Sequence, residues 1–261
     1  MDLPPEPPRI ELHGVVEVGL ASTPELDPIV SIDLARLMTR FEAERYGGMV
    51  QVQGSDELEL SLLDARLWVG DRQGLSLEAG RMKTPFSQDM QVGAPDMLLP
   101  TRPLIVGIAP RRDLGAQARL KLGERVLVRG GWFVEAGPVM AMDVSLSEGL
   151  ALHAAGTLDG ADLGLAWERG GTRVAVEGLA MHDKSGWQGG GALEAGKAFE
   201  LGWLTLQPVL GWDTLAGSEI EHCGTVALRG MHEGITASVS YEALLGEKLE
   251  QRGRVQLQAA F

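Results

Sequence analysis

Residues 113–134 read DLGAQARLKLGERVLVRGGWFV, and they alternate. The first half puts Leu114, Ala116, Ala118, Leu120 and Leu122 on one face, with Gly115, Gln117, Arg119 and Lys121 on the other. After the short LGER, the second half sets Val126, Val128, Gly130, Trp132 and Val134 against Arg125, Leu127, Arg129 and Gly131. Successive side chains of a strand point to opposite faces, whereas a helix repeats every 3.6 residues. Strict alternation on both sides of a tight turn therefore predicts an antiparallel hairpin with one apolar and one wet face.

The same period runs outward through most of the chain. RVQLQAAF, at 254–261, sets Val255, Leu257, Ala259 and Phe261 against Arg254, Gln256, Gln258 and Ala260. Turn signals recur along the chain, among them STPELD, GDRQG, EAGP, SEG, ERGG, HDKSG, DTLAGSE and MHEG. They divide it into sixteen predicted strands near 9–21, 28–41, 48–55, 57–70, 74–82, 113–122, 125–134, 138–147, 149–158, 160–168, 171–181, 187–198, 200–213, 219–230, 233–245 and 251–261. A weak helical period at 33–45 is read as a strand and its turn. An even number of strands, most near the ~9–11 residues that cross a bilayer at a tilt, predicts an all-β transmembrane antiparallel barrel. Sixteen strands is the leading count, with 14 or 12 if the short turns at 147–149 or 158–160 are not true turns. A soluble sandwich would alternate too, but rarely as one long meander. One connection stands apart: residues 83–112 carry no clear alternation and predict a long loop. Residues 1–8, MDLPPEPP, read as a Pro-rich tail ahead of a single barrel domain at 9–261.

Composition narrows the function. The chain has 261 residues and a net charge of −13, which argues against nucleic acid as a partner. Cys223 is the one cysteine, so no internal disulfide forms. No apolar run is long enough for a membrane helix. MDLPPEPPRI has neither the basic start nor the apolar core of a signal peptide, which fits a cytosolic protein or a mature exported chain numbered after cleavage. No nucleophile elbow, P-loop or HExxH is present, and no Ser/His/acid set can be assembled. His13, His153, His182, His222 and His232 show no metal spacing and read as surface or lumen residues. No enzyme activity, cofactor or metal is expected.

Three pieces then resemble the phosphate-selective porins O and P: DARLWVG (64–70), LEAGRMKTPFS (77–87) and APRRDLGAQ (109–117). In that family a strand ending in a Lys-x-Pro-Phe-like pattern precedes the constriction loop, and an Arg-Asp-hydrophobic-Gly-hydrophobic-Gln pattern follows it. Here both occur in that order. The resemblance covers about a fifth of the chain. It implies a sixteen-stranded, trimer-forming porin of a Gram-negative outer membrane, in contact with lipid, whose third external loop enters the lumen. Family members are much longer, and no ladder of arginines is evident outside 81–129. The end of the chain resembles the β-signal read by the barrel assembly machinery, with Val255, Leu257, Ala259 and Phe261 as its apolar positions.

Charge is uneven. Residues 81–129 carry a net +5, against −18 for the rest of the chain. Arg81, Lys83, Arg111, Arg112, Arg119, Lys121 and Arg129 are the candidate constriction residues, because rings of Lys and Arg favour anions in pores. The competing reading is a solvated wall whose charges pair locally, such as Arg112 with Asp113. Two functions follow: a passive channel for small solutes, anions among them, or a non-transporting barrel that scaffolds an envelope machine for secretion or surface motility.

Overall fold

The computed structural model describes residues 8–23, 26–54, 60–93, 96–184, 186–217 and 219–261, with residues 23, 26–30 and 32–34 described by backbone alone. The predicted tail at 1–8 and part of the predicted strand at 57–70 therefore fall largely outside the described residues. The strands are β1 (Arg9–Thr23), β2 (Leu26–Glu42), β3 (Tyr46–Gly54), β4 (Ser61–Gly70), β5 (Leu75–Lys83), β6 (Arg112–Leu122), β7 (Val126–Phe133), β8 (Gly137–Ser147), β9 (Leu150–Gly156), β10 (Gly160–Arg169), β11 (Thr172–Asp183), β12 (Gly186–Lys197), β13 (Phe199–Leu201), β14 (Leu204–Ala216), β15 (Ile220–His232), β16 (Ile235–Leu245) and β17 (Leu249–Ala260). Apart from β12 and β13, which both pair with β14, every strand pairs antiparallel with its sequence neighbours, and β1 pairs with β17 from Val15↔Ala260 to Ser22↔Gly253. That pairing closes the sheet and leaves no edge, as a lipid environment requires of a strand-built span.

Seventeen segments make sixteen staves. β12 and β13 are separated only at Ala198 and lie end to end along β14, with Gly196↔Val209 and then Phe199↔Leu206. The turn at 202–203 comes after Leu201, so Phe199–Leu201 completes the twelfth stave. The sequence-predicted thirteenth strand, which starts at 200, therefore begins inside the twelfth stave. Gly202 has φ +66°, which is where the chain reverses. The stretch at 33–45 is strand to Glu42. β1 and β2 are longer than the minimum for a span, at 15 and 17 residues.

The wall is inverted relative to a soluble protein. Its outward face carries Leu67, Leu77, Leu114, Met140, Leu163, Leu210, Val239, Val255 and Leu257, all exposed, while Asp64, Glu78, Gln117, Asp162, Glu177 and Glu194 are buried inside. Apolar-out and polar-in is the pattern of a barrel in lipid. Trp132 and Trp187 stand outward close to the end that carries the long loop, and Trp167 and Trp203 stand outward near the opposite end. Aromatic residues at two levels suit the two membrane–water interfaces. Trp68 is the exception: it is 4 % exposed and points inward.

The packed core lies between the 84–111 connection and the wall. Met82, Phe86, Met90, Ile105, Val106 and Ala109 pack on Phe133, Val139, Ala141, Ala155, Leu179 and Ala192 of β7, β8, β9, β11 and β12. A second cluster joins Leu98 and Leu99 of the loop to Val209 of β14 and Ala227 of β15. The loop is thus folded into the barrel, and its neck is one residue tighter at each end than the sequence implies. β5 continues to Lys83 and β6 begins at Arg112, paired with each other.

Candidate functional site

The neck of the loop is tied by Thr84. Its backbone N–H donates to Arg111 O at 3.1 Å, and its hydroxyl lies 2.6 Å from Pro110 O and 3.0 Å from Arg111 O. Pro85 then ends the ladder, since it has no N–H to give. Ser87, at φ +62°, starts α1 (Gln88–Gln91), and its hydroxyl accepts from Met90 N. The first N–H groups of that turn donate outward to one wall carboxylate: Gln88 N to Glu177 Oε1 at 2.8 Å and Asp89 N to Glu177 Oε2 at 3.1 Å. Farther along, Leu104 N donates to Asp213 Oδ1 at 2.9 Å, and the Thr101 hydroxyl to Glu242 Oε1 at 2.5 Å. Acids on β11, β14 and β16 therefore hold three points of the loop. Burial raises the pKa of Asp89 in α1, against the pull of the neighbouring Arg102 guanidinium.

Cations inside the loop serve its shape. Lys83 Nζ donates to the carbonyls of Gln91 (3.3 Å) and Val92 (3.2 Å), the open end of α1. Arg102 donates to the carbonyls of Asp89 and Val92, stapling the outgoing limb to the incoming one. Lys83, a candidate constriction residue from the sequence, thus commits its ammonium to loop carbonyls.

Polar contacts continue from α1 into the wall. Arg129 donates to Gln91 Oε1 (3.1 Å) and to Asp143 Oδ2 (2.7 Å). His153, 2 % exposed, sits between Asp143 and Asp162, at 2.7 Å and 3.1 Å. His153 is a lumen residue, held by two carboxylates.

The opposite wall, β2–β7, is rich in guanidinium groups. Arg112 pairs with Asp64 at 3.1 Å. It does not pair with Asp113, whose carboxylate instead accepts the N–H groups of Glu135 and Ala136. Buried Glu78 meets Arg66 at 3.1 Å and Arg72 at 3.7 Å. Arg72 and Arg40 also lie over the Trp68 ring, 4.7 Å and 5.5 Å from its centroid. Arg36 donates to Gln53 Oε1, Arg119 to Arg72 O, and Lys121 to Gln73 Oε1. Arg36, Arg40, Arg66 and Arg72 thus extend the cationic wall well outside 81–129. The sequence carried a signal for them: in LARLMTRFE, Arg36 and Arg40 share a face with Met38, and in DARLW Arg66 shares one with Asp64 and Trp68.

Among the predicted constriction residues, Arg112, Arg119, Lys121 and Arg129 line the interior, and Lys83 reaches in from the neck. Arg111 is exposed on the loop's return limb. Arg81 is on the outside. It pairs across strands with Ala65 and with outward-facing Leu114, and its Nε donates to Leu62 O at 3.1 Å. The reason is the pleat: Glu78, Gly80 and Met82 take the inner face of β5, so Leu77, Ala79 and Arg81 take the outer one.

Solved structures with this architecture cover nearly the whole chain. OmpT of Vibrio cholerae, in its in-vitro folded trimer form, superposes with a TM-score of 0.73 over 98% of this chain and 100% of its own, at 10% sequence identity. The chain shares the fold of this outer-membrane protein. A mutant of the Rhodobacter blastica porin gives a TM-score of 0.71 over 97% of this chain and 100% of that one, at 16% identity. The outer membrane channel DcaP of Acinetobacter baumannii gives 0.71 over 97% of each chain, at 11% identity. Neither a family model nor a curated protein matches the chain.

Proposed function

We propose that this chain is a passive outer-membrane channel for small solutes, narrowed by the loop at 84–111 and biased toward anions at its constriction. One observation carries the reading. The loop leans on the acid-bearing wall, through Glu177, Asp213 and Glu242, and faces a wall bearing Arg36, Arg40, Arg66, Arg112 and Arg119. The wall acids are engaged by loop N–H and hydroxyl groups. Those hydrogen bonds do not cancel the acids' charge, but on the facing side Arg36, Arg40, Arg66, Arg72, Arg112, Arg119 and Lys121 outnumber the Glu42, Asp64 and Glu78 carboxylates paired with some of them. That side is left net positive, to set the field a passing ion meets. Focusing by a low-dielectric wall strengthens that field. The lipid-facing surface, the seam residues Val255, Leu257, Ala259 and Phe261 as an assembly signal, and a homotrimer like the trimer form of the Vibrio cholerae protein belong to the same reading.

The scaffold alternative has its own support. Phe86 and Ile105 are fully buried, so the loop fills much of the bore. Planar-bilayer recording separates the two. A channel gives discrete conductance steps with a reversal potential displaced toward the anion potential across a salt gradient. A scaffold gives none.

A further inference from the structure

A cavity of about 190 Å3 opens between the outgoing limb of the loop and the inner faces of β14–β17. At about 30 Å3 per water it has room for about six waters, so its occupant is a small solute. Asp213, Thr225, Glu242 and Arg254 reach it from four successive strands, over a floor that includes Leu99 and Leu244. Thr225 pairs across strands with Glu242, and Arg254 pairs with Ser240 two residues from Glu242. Glu242 and Arg254 are therefore diagonal neighbours on one face, about 7–8 Å apart at the backbone and within reach of each other.

They do not use that reach. Arg252 spends its guanidinium on Glu250 at 3.3 Å, whereas Arg254 makes no ion pair or hydrogen bond among the described residues. The Glu242 carboxylate gives one oxygen to Thr101 and the Asp213 carboxylate one to Leu104 N. Each keeps its other oxygen for a further donor. Arg102, also at the rim, is committed to the carbonyls of Asp89 and Val92. Glu250 and Arg252 also line the space, Arg252 directly across from Glu242, but they pair with each other. Apart from that pair, the open polar groups are the Arg254 guanidinium and one carboxylate oxygen each of Glu242 and Asp213, over an apolar floor.

We propose that this cavity binds a zwitterion the size of a single small amino acid, with its carboxylate on Arg254 and its ammonium on Glu242 and Asp213. The inference rests on the channel reading and names a solute class for it. A plain anion in this space meets Arg254 but also two carboxylates, and a plain cation meets the carboxylates but also Arg254. Only a solute carrying both charges, spaced by one or two carbons, satisfies both sides.

The test is equilibrium binding to the full folded chain in detergent, followed by saturation-transfer NMR with three probes: serine, glycolate and ethanolamine. Serine binds, and the two singly charged probes bind at least about tenfold more weakly. Arg254→Gln and Glu242→Gln each weaken serine by about tenfold, with folding checked by heat-modifiable gel mobility. Glycolate or ethanolamine binding as tightly as serine overturns the proposal, as do two folded variants that bind serine like the parent, or no serine binding at all. If a variant does not fold, the three-probe comparison on the parent chain still decides. The two claims fail separately. Serine binding in a barrel that never conducts removes the channel and keeps the site. Conductance without serine binding removes the site and keeps the channel.

Discussion

The ring of Phe261 fills the space a side chain at Gly14 would need: a Cβ built there falls 2.2 Å from Phe261 Cζ. The two residues also exchange backbone hydrogen bonds, Gly14 N to Phe261 O at 2.8 Å and Phe261 N to Gly14 O at 3.0 Å. The barrel is thus sealed at its seam by an aromatic ring seated on a glycine. Gly14→Val overpacks this contact and destabilises the barrel by about 1–3 kcal/mol. In a double-mutant cycle, Phe261→Ala recovers most of that loss, because the ring is what the valine strikes. Urea unfolding in lipid vesicles measures both. Additive losses would mean that the ring and residue 14 do not compete for one space.

Glu177 accepts two backbone N–H groups from α1 with one carboxylate. Glu177→Ala leaves both without this acceptor, at about 1–3 kcal/mol each when no water replaces it, and Glu177→Gln keeps one acceptor oxygen. The alanine variant is expected to loosen the loop, seen as faster proteolysis between 84 and 111 and as noisier single-channel current. The glutamine variant falls between it and the parent. A loop equally protected in all three would place its anchorage in the apolar clusters alone.

Glu78 is the carboxylate that Arg66, Arg72 and Gln117 share on the cationic wall. Glu78→Gln removes a negative charge there and costs about 1–3 kcal/mol, since it leaves partly buried guanidiniums without their acid. Anion preference should rise while stability falls. Permeability ratios and unfolding midpoints from one preparation report both, and a fall in anion preference would contradict the assignment of that wall.

Arg81 faces out, so Arg81→Glu should leave ion preference unchanged, whereas Lys83→Glu, two residues on, shifts it toward cations. The pair is a control built into one strand. Equal shifts from both would mean that β5 presents the other face to the lumen.

The stretches legible in the sequence are those where one local rule decides. Alternation located the staves of β6, β7 and β17 to within about two residues. Pro85, with no donor for a ladder, marked where β5 stops and the loop begins. What the sequence could not show depends on partners distant along the chain. Thr84 meeting Arg111, Glu177 meeting α1, and Arg112 choosing Asp64 over adjacent Asp113 all follow from closing the barrel around its loop. Arg81 faces out by the pleat, whereas Lys83 and Arg112, on the same outer parity of β5 and β6, reach in only at the loop's neck, where they meet the Gln91 and Val92 carbonyls and Asp64. Grouping cations by position along the chain hid Arg36, Arg40 and Arg66, whose inward faces the period-2 pattern already contained.

The most direct measurement is the reversal potential of single barrels in a planar bilayer across a tenfold salt gradient, with the dilute side near 10 mM, where the Debye length is about 30 Å. The parent barrel should conduct with a potential displaced toward that of the anion. Lys83→Glu combined with Arg119→Glu should move it toward the cation, and the difference should shrink as salt rises. A barrel that never conducts, or a double variant that conducts with the parent's reversal potential, would contradict a cation-lined constriction at the 84–111 loop.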